Sequence, residues 1–277
     1  MLYDAYEMQR SMLSGASTLA NIGAGWMQNP ANPFAYSSMG PIVASALDVF
    51  AHASASRGKP DFGFESTTVE GKTVAVHEEV VLRKPFGQLK HFRRANEDGS
   101  AVEAAPRLLI VAPMSGHFAT LLRGTVERML PGHDVYITDW RDAKLVPLSD
   151  GSFSLDDYID YLIAFLEHIG PGAHMLAVCQ PSVPCYAAAA LMAEDKHPAR
   201  PRTLTMMGGP IDTRKAPTAV NTLATQRSHA WFQQNVIATV PYLYPGGGRK
   251  VYPGFLQLAG FMTMNLGNHL VSHWEMF

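Results

Sequence analysis

One cysteine of this sequence stands where a nucleophile would be expected. Cys179 follows the short apolar run Met175–Val178 and precedes an alanine-rich stretch, residues 183–194. The run is typical of a buried parallel strand, and the alanine-rich stretch predicts a helix. Ligands of open α/β sheets bind beyond the carboxyl ends of the strands, so a thiol at this turn would face a binding crevice. We therefore expect Cys179 to act as a catalytic nucleophile.

The residues around Cys179 have the pattern of a nucleophile elbow, the strand-to-helix turn that carries the nucleophile of α/β-hydrolases. Ala177-Val178-Cys179-Gln180-Pro181 stands in place of the usual Gly-x-Ser-x-Gly motif. Ala177 is small enough for a sharp turn. Pro181 fits the first turn of a helix, because its missing N–H would have no helical partner there. The N-terminus of that helix would favour the thiolate form of Cys179, which is the nucleophilic form. Attack of this thiolate on a substrate carbonyl would be acyl transfer.

Acyl transfer also needs hydrogen-bond donors for the oxyanion that forms on the substrate carbonyl. One predicted donor is the backbone N–H of Gln180. A second is expected in the loop after an upstream apolar strand, where the backbone N–H groups of Met114 and Ser115 are the candidates. Gly116 would let the backbone approach closely. We interpret His117 as a residue that positions this loop.

The second cysteine, Cys185, falls inside the predicted apolar helix and is expected to be a core residue. The chain contains 2 cysteines, which fits neither a disulfide framework nor a zinc-binding pattern. We expect no metal and no cofactor. So few cysteines also suit a reducing cytosol, where thiols remain free.

Predicted strands alternate with helices through the middle of the chain. The strands are expected at 74–82, 87–92, 108–112, 134–138, 175–178 and 204–207, and the helices at 119–130, 154–168 and 183–194. We expect an α/β-hydrolase-like, mostly parallel sheet with helices on both faces. The first two strands would form a hairpin, and residues 56–72 are interpreted as a loop.

Three segments are predicted along the chain. Residues 1–56 form an N-terminal helical extension, 57–210 the α/β-hydrolase core, and 211–277 an incomplete cap or lid rich in aromatic residues and Met. The extension should contain helices at 1–28 and 40–55. The apolar stripe of its first helix could pack on the core, on a partner subunit or on a hydrophobic surface, so homo-oligomerisation stays open.

Composition excludes several classes of partner. The formal net charge of -2 gives no field that would attract nucleic acid. No stretch approaches the roughly 18 apolar residues of a membrane span. Asp4, Glu7 and Arg10 interrupt the apolar core that a secretory signal would need, so we expect a cytoplasmic protein.

The segment Ala177–Pro184 resembles the intracellular polyhydroxyalkanoate (polyhydroxybutyrate, PHB) depolymerases. Further matches to that family are Val111–His117, Thr120–Thr125, Tyr136–Trp140, Asp156–Ile159, Met207–Asp212 and Tyr252–Phe255. The resemblance implies a thiol hydrolase that cleaves 3-hydroxyacyl ester bonds of cytoplasmic polyester storage granules. Cys179 would form the acyl-enzyme intermediate. A more distant similarity to polyhydroxyalkanoate synthases implies an acyltransferase as an alternative.

The resemblance also implies a His base and an orienting Asp beyond the cap. Because residues 269–277 are interpreted as a running helix, we expect a C-terminally truncated chain that lacks this pair and the last sheet strands. The weaker local substitutes are His117, His229, His269, His273, Asp139, Asp142 and Asp212. A catalytically incomplete scaffold on the granule surface is therefore a further alternative.

Overall fold

Two paired helices begin the chain, within a first compact unit, Met1–Pro60. They are α1 (Leu2–Gln28) and α2 (Gly40–Ser54), close to the predicted bounds. Ala20, Ala24, Ala44 and Ala51 are buried in these helices, and the Ser17 hydroxyl donates to the carbonyl of Ala51 at 2.8 Å. The structure, a computed structural model, describes residues 2–55, 58–96, 98–100, 102 and 104–264.

A seven-stranded sheet forms the centre of the second unit, residues 61–277. Its strands are β1 (Ser66–Val69), β2 (Lys72–Lys84), β3 (Gly87–Ala95), β4 (Arg107–Val111), β5 (Asp134–Trp140), β6 (His174–Val178) and β7 (Thr203–Met207). The strand order is β1-β2-β3-β5-β4-β6-β7. Strands β5, β4, β6 and β7 run parallel, whereas β1, β2 and β3 pair antiparallel and β3 is antiparallel to β5.

Helices cover both faces of this sheet. They are α3 (Arg123–Met129), α4 (Leu155–Ile169) and α5 (Ser182–Glu194). Successive side chains of a strand point to opposite faces. Leu109 of β4 accordingly packs in the cluster that contains residues of α4 and α5, whereas Ile110 packs in the cluster that contains Val126 of α3. The chain therefore has the predicted α/β-hydrolase-like fold.

Local sequence explains why α4 begins and ends where it does. The Ser154 hydroxyl accepts from the backbone N–H of Asp157, while the Asp157 carboxylate accepts from the N–H of Ser154. This capping box satisfies donors that the first helical turn leaves unpaired. Gly170 ends the helix with φ +90°, a backbone conformation that glycine adopts readily.

The region after β7 mixes short helices with a second, two-stranded sheet. Its elements are α6 (Ala219–Gln226), α7 (His229–Asn235), β8 (Ala238–Thr239), β9 (Lys250–Val251) and α8 (Gly254–Met264). The β8–β9 pair was not expected in a helical cap. In the described part of the chain, no helix has the length and apolar character that a membrane crossing requires.

Two further predictions need correction. Residues 66–69 are not loop but strand β1, which pairs with β2 through hydrogen bonds that its polar sequence does not reveal. The helix predicted at 119–130 begins as a 3₁₀ turn, Ala119–Leu122, before α3. The predicted segment boundaries after residues 56 and 210 stay predictions.

Strand β7 forms an edge of the sheet within the described residues. Met206 and Met207 are 41% and 49% exposed. Parallel strands are normally buried on both faces, so this edge is unusually open. An exposed strand edge is a template for pairing with further chain.

The core under α4 can be tested with two leucines of that helix. Leu162 is 0% exposed, whereas Leu155 is 55% exposed. Truncating a fully buried leucine leaves a cavity, so Leu162→Ala should lower the free energy of unfolding by about 2–5 kcal/mol. The matched surface variant Leu155→Ala should change it by less than about 0.5 kcal/mol. Urea unfolding followed by circular dichroism measures both, and equal midpoints would contradict this packing.

Candidate active site

Cys179 occupies a strained turn between β6 and α5. Its φ is +66°, in the left-handed region that residues other than glycine rarely adopt. The Cys179 N–H donates to the Met207 carbonyl at 2.8 Å, and the Cys179 carbonyl accepts from the N–H of Ser182 at 3.0 Å. The turn is thus held on both sides, by β7 and by the start of α5. The side chain of Cys179 is exposed at the carboxyl edge of the parallel strands.

Gly209 makes this turn possible by its lack of a side chain. A Cβ atom there would lie 2.0 Å from the Ser182 Oγ and 3.2 Å from the Cys179 carbonyl oxygen. The backbone at Gly209, which follows β7, therefore packs in direct contact with the elbow. Ser182 is fully buried, and its Oγ has no hydrogen-bond partner among the described residues. The importance of Gly209 could not be predicted from the sequence, because the contact joins segments far apart in the chain.

The loop after β4, which contains the predicted oxyanion donors, is anchored at Ala112. The Ala112 N–H donates to the Thr138 hydroxyl at 2.9 Å, and its carbonyl accepts from the Trp140 indole N–H at 2.8 Å. The Tyr158 hydroxyl lies 3.5 Å from the same carbonyl oxygen, and burial raises the pKa of Tyr158 well above its ordinary value. Side chains from β5 and α4 thus fix where this loop leaves the sheet.

The far end of the loop is packed against the start of α8. Gly116 has φ +80°, and a Cβ atom on it would lie 2.4 Å from the Gly254 carbonyl oxygen. The lack of a side chain on Gly116 therefore makes room for the Gly254 backbone, while a supporting role of Gly116 in the oxyanion loop stays a prediction. Ser115 is buried, and its Oγ lies 3.4 Å from His117 Nδ1.

The middle of the loop is tied to the elbow. The Met114 N–H donates to the side-chain oxygen of Gln180 at 2.9 Å. The backbone N–H groups of Gln180, Ser115 and Gly116 donate to no protein acceptor within the described residues. Unpaired backbone donors thus lie in the elbow and in the loop that the Met114–Gln180 hydrogen bond joins to it.

No described residue accepts a proton from Cys179 by a hydrogen bond. His229 contacts Gln233, and Asp212 pairs with Arg214 through both carboxylate oxygens. Asp142 caps a 3₁₀ turn, and Asp139 is buried and accepts from the Gln88 amide. His269 and His273 lie outside the described residues.

The second cysteine is buried. Cys185 is 0% exposed within α5, and burial raises the pKa of its thiol well above the ordinary value. Cys185 therefore stays neutral and packs as an apolar side chain. Among the described residues, no cluster of three or more His, Cys, Asp or Glu side chains could hold a metal ion.

Comparison with known proteins bears on the region after β7. Residues 208–277 match the family described as PHB de-polymerase C-terminus. This segment is thus similar to the C-terminal part of the PHB depolymerases. This match confirms the resemblance stated from the sequence, and it begins at Gly208, beside the glycine that packs on the elbow. No curated protein matches the chain significantly.

Solved structures give weaker likenesses. Naproxen esterase from Bacillus subtilis is 15% identical, with a TM-score of 0.36 over 56% of this chain and 52% of that chain. A putative lipase from Acinetobacter baumannii is 13% identical, with a TM-score of 0.38 over 61% of this chain and 57% of that chain. The chain therefore spans little more than half the length of these two proteins.

The packing of Gly209 on the elbow leads to a specific prediction. Gly209→Ala should lower the free energy of unfolding by about 1–3 kcal/mol, because the added methyl group has no room beside Ser182. The matched control is Gly124→Ala in α3, where a Cβ atom meets nothing within 4 Å. That change should be neutral or stabilising by about 0.5–1 kcal/mol. Urea midpoints measure both variants, and a Gly209→Ala protein as stable as the control would refute the close contact.

Proposed function

We propose that this chain is the catalytic part of a thiol hydrolase that cleaves 3-hydroxyacyl ester bonds of PHB-type polyester. The observation that carries the proposal is Cys179, an exposed thiol held at φ +66° on a strand-to-helix turn. Such strain, of order 1–3 kcal/mol, persists in proteins mainly where function requires it. The family match at 208–277 supports the substrate class.

The proposed reaction has two steps. The Cys179 Sγ attacks the ester carbonyl carbon as a thiolate, and the carbonyl oxygen becomes an oxyanion in the tetrahedral intermediate. Collapse of the intermediate breaks the C–O bond, and the leaving alkoxide takes up a proton as the free hydroxyl end of the polymer. Water then hydrolyses the resulting thioester, which releases the carboxylic acid and restores the thiol.

Two unpaired backbone N–H groups are the best candidates to stabilise the oxyanion of the tetrahedral intermediate. The backbone N–H groups of Gln180 and Ser115 are free to bind the oxyanion. The N–H of Met114, the third predicted donor, is already engaged by the Gln180 side chain. We therefore assign the oxyanion to Gln180 and Ser115, with Gly116 and His117 as supporting residues of the loop.

The proposed reaction needs a base that takes the proton of the Cys179 thiol. None of the described residues accepts a hydrogen bond from this thiol. Serine and cysteine hydrolases need a His that accepts this proton and a carboxylate that orients it. His269 and His273 fall outside the described residues and remain candidates. Without a base that activates water, hydrolysis of the thioester would be slow, which makes a catalytically incomplete granule-binding protein the second candidate function.

Exposed apolar side chains suit a water-insoluble, uncharged substrate. Leu145 and Leu148 are exposed and follow β5 at the same sheet edge as Cys179. A Cβ atom on Gly248 would lie 3.5 Å from both the Leu148 Cδ1 and the Tyr242 Cε1 atoms. Tyr242 and Leu243 are 86% and 75% exposed. Exposed apolar patches commonly mark interaction sites. Location on cytoplasmic polyester granules is part of this proposal.

The proposal is tested with a chromogenic short-chain ester and with amorphous PHB granules. The unaltered chain should release close to one equivalent of alcohol per Cys179 in a rapid burst, even if later turnover is slow. Cys179→Ala should abolish the burst because the nucleophile is gone, whereas the matched variant Cys185→Ala should keep it. A burst that survives Cys179→Ala would refute the nucleophile assignment. Granule binding without any burst would instead support the scaffold function.

A further inference from the structure

Gln180 contributes to the candidate site through both its backbone and its side chain. Its backbone N–H is unpaired beside the Cys179 thiol. Its side-chain oxygen accepts from the Met114 N–H of the loop after β4 at 2.9 Å. This hydrogen bond joins the elbow to the loop after β4, and no other hydrogen bond between described residues joins the elbow residues to Met114, Ser115 or Gly116.

The loop is also held at its two ends, and the Met114 side chain packs against the core cluster that contains residues of α4 and α5. Thr138 and Trp140 hold it at Ala112, and the backbone of Gly254 packs against Gly116. Met114 lies between these anchors and directly precedes Ser115, whose N–H is unpaired. The direction of the Ser115 N–H therefore depends on how the Met114 peptide is held.

We propose that the Gln180 side chain is a positioning residue, a clasp that holds Met114 so that the Ser115 N–H points at the oxyanion. The inference rests on the proposed function, because it assumes acyl transfer at Cys179. The clasp would couple the two halves of the oxyanion hole, since one residue supplies the first donor and orients the second.

The same hydrogen bond has a competing interpretation. Gln180 could act as a plug that occupies the Met114 N–H until the substrate oxyanion displaces it. The geometry favours the clasp, because Gln180 and Ser115 already supply two unpaired donors without any movement of the side chain. The two interpretations predict opposite orders of activity among variants.

Gln180→Met and Gln180→Glu separate them. Methionine has a similar length but no amide oxygen, whereas glutamate keeps an acceptor for the Met114 N–H; both keep the backbone N–H of residue 180. A clasp predicts that Gln180→Met slows acylation of Cys179 about 10²-fold, the typical effect of losing one oxyanion donor. Gln180→Glu should fall between Gln180→Met and the unaltered chain. The ester concentration at half-saturation should hardly change.

The readout is the burst rate with the chromogenic ester at saturation, with protein concentration normalised by thiol titration. Hydrogen exchange of the Met114 amide provides a second readout, and it should be faster in Gln180→Met only. Melting temperatures should stay within a few degrees, because one solvent-exposed hydrogen bond contributes little to net stability.

Three results would overturn the clasp. A Gln180→Met burst as fast as or faster than that of the unaltered chain, with Gln180→Glu slowest, would establish a plug. Equal bursts in all three proteins would show that the side chain is a bystander. Unchanged exchange at Met114 in Gln180→Met would show that the hydrogen bond does not order the loop. If the unaltered chain gives neither a burst nor turnover, the hydrolase proposal fails, and hydrogen exchange at the Met114 amide alone then decides whether the clasp exists.

Discussion

The left-handed backbone of Cys179 is the constraint on which the rest of the site depends. An unfavourable conformation persists only when its surroundings determine it from several sides. Here the Met207 carbonyl holds the Cys179 N–H, α5 begins immediately after the turn, and Gly209 leaves room for the turn to approach β7. The contacts that offset the backbone strain of Cys179 therefore depend on the sheet, because its parallel strands bring these segments together.

The second half of the site is built by the same sheet from different residues. Trp140 ends β5 and donates to the carbonyl of Ala112, the first residue after the neighbouring strand β4, so the loop with Ser115 starts at a defined point. Its other end rests on Gly254, within the region that matches the PHB depolymerase C-terminus. Regions far apart in the sequence thus converge on the loop, and the side chain of Gln180 connects that loop to the elbow.

The strands and helices around Cys179 could be predicted because local patterns determine them. Apolar runs specify buried strands, and the Ser154 capping box marks a helix start. Contacts between distant segments could not be predicted: the packing of Gly209 and the use of the Gln180 side chain depend on the tertiary fold. Polar strand β1 (Ser66–Val69) was missed for the same reason, because an edge strand is defined by its partner.

Trapping of the acyl-enzyme tests the central claim most directly. The unaltered chain is mixed with a soluble 3-hydroxybutyrate ester, quenched in acid and digested, and the peptides are analysed by mass spectrometry. The account predicts a 3-hydroxybutyryl group on the peptide that contains Cys179, removable by hydroxylamine as a thioester and absent from the Cys179→Ala protein. An acyl group on another residue, or undiminished ester cleavage by the Cys179→Ala protein, would contradict it.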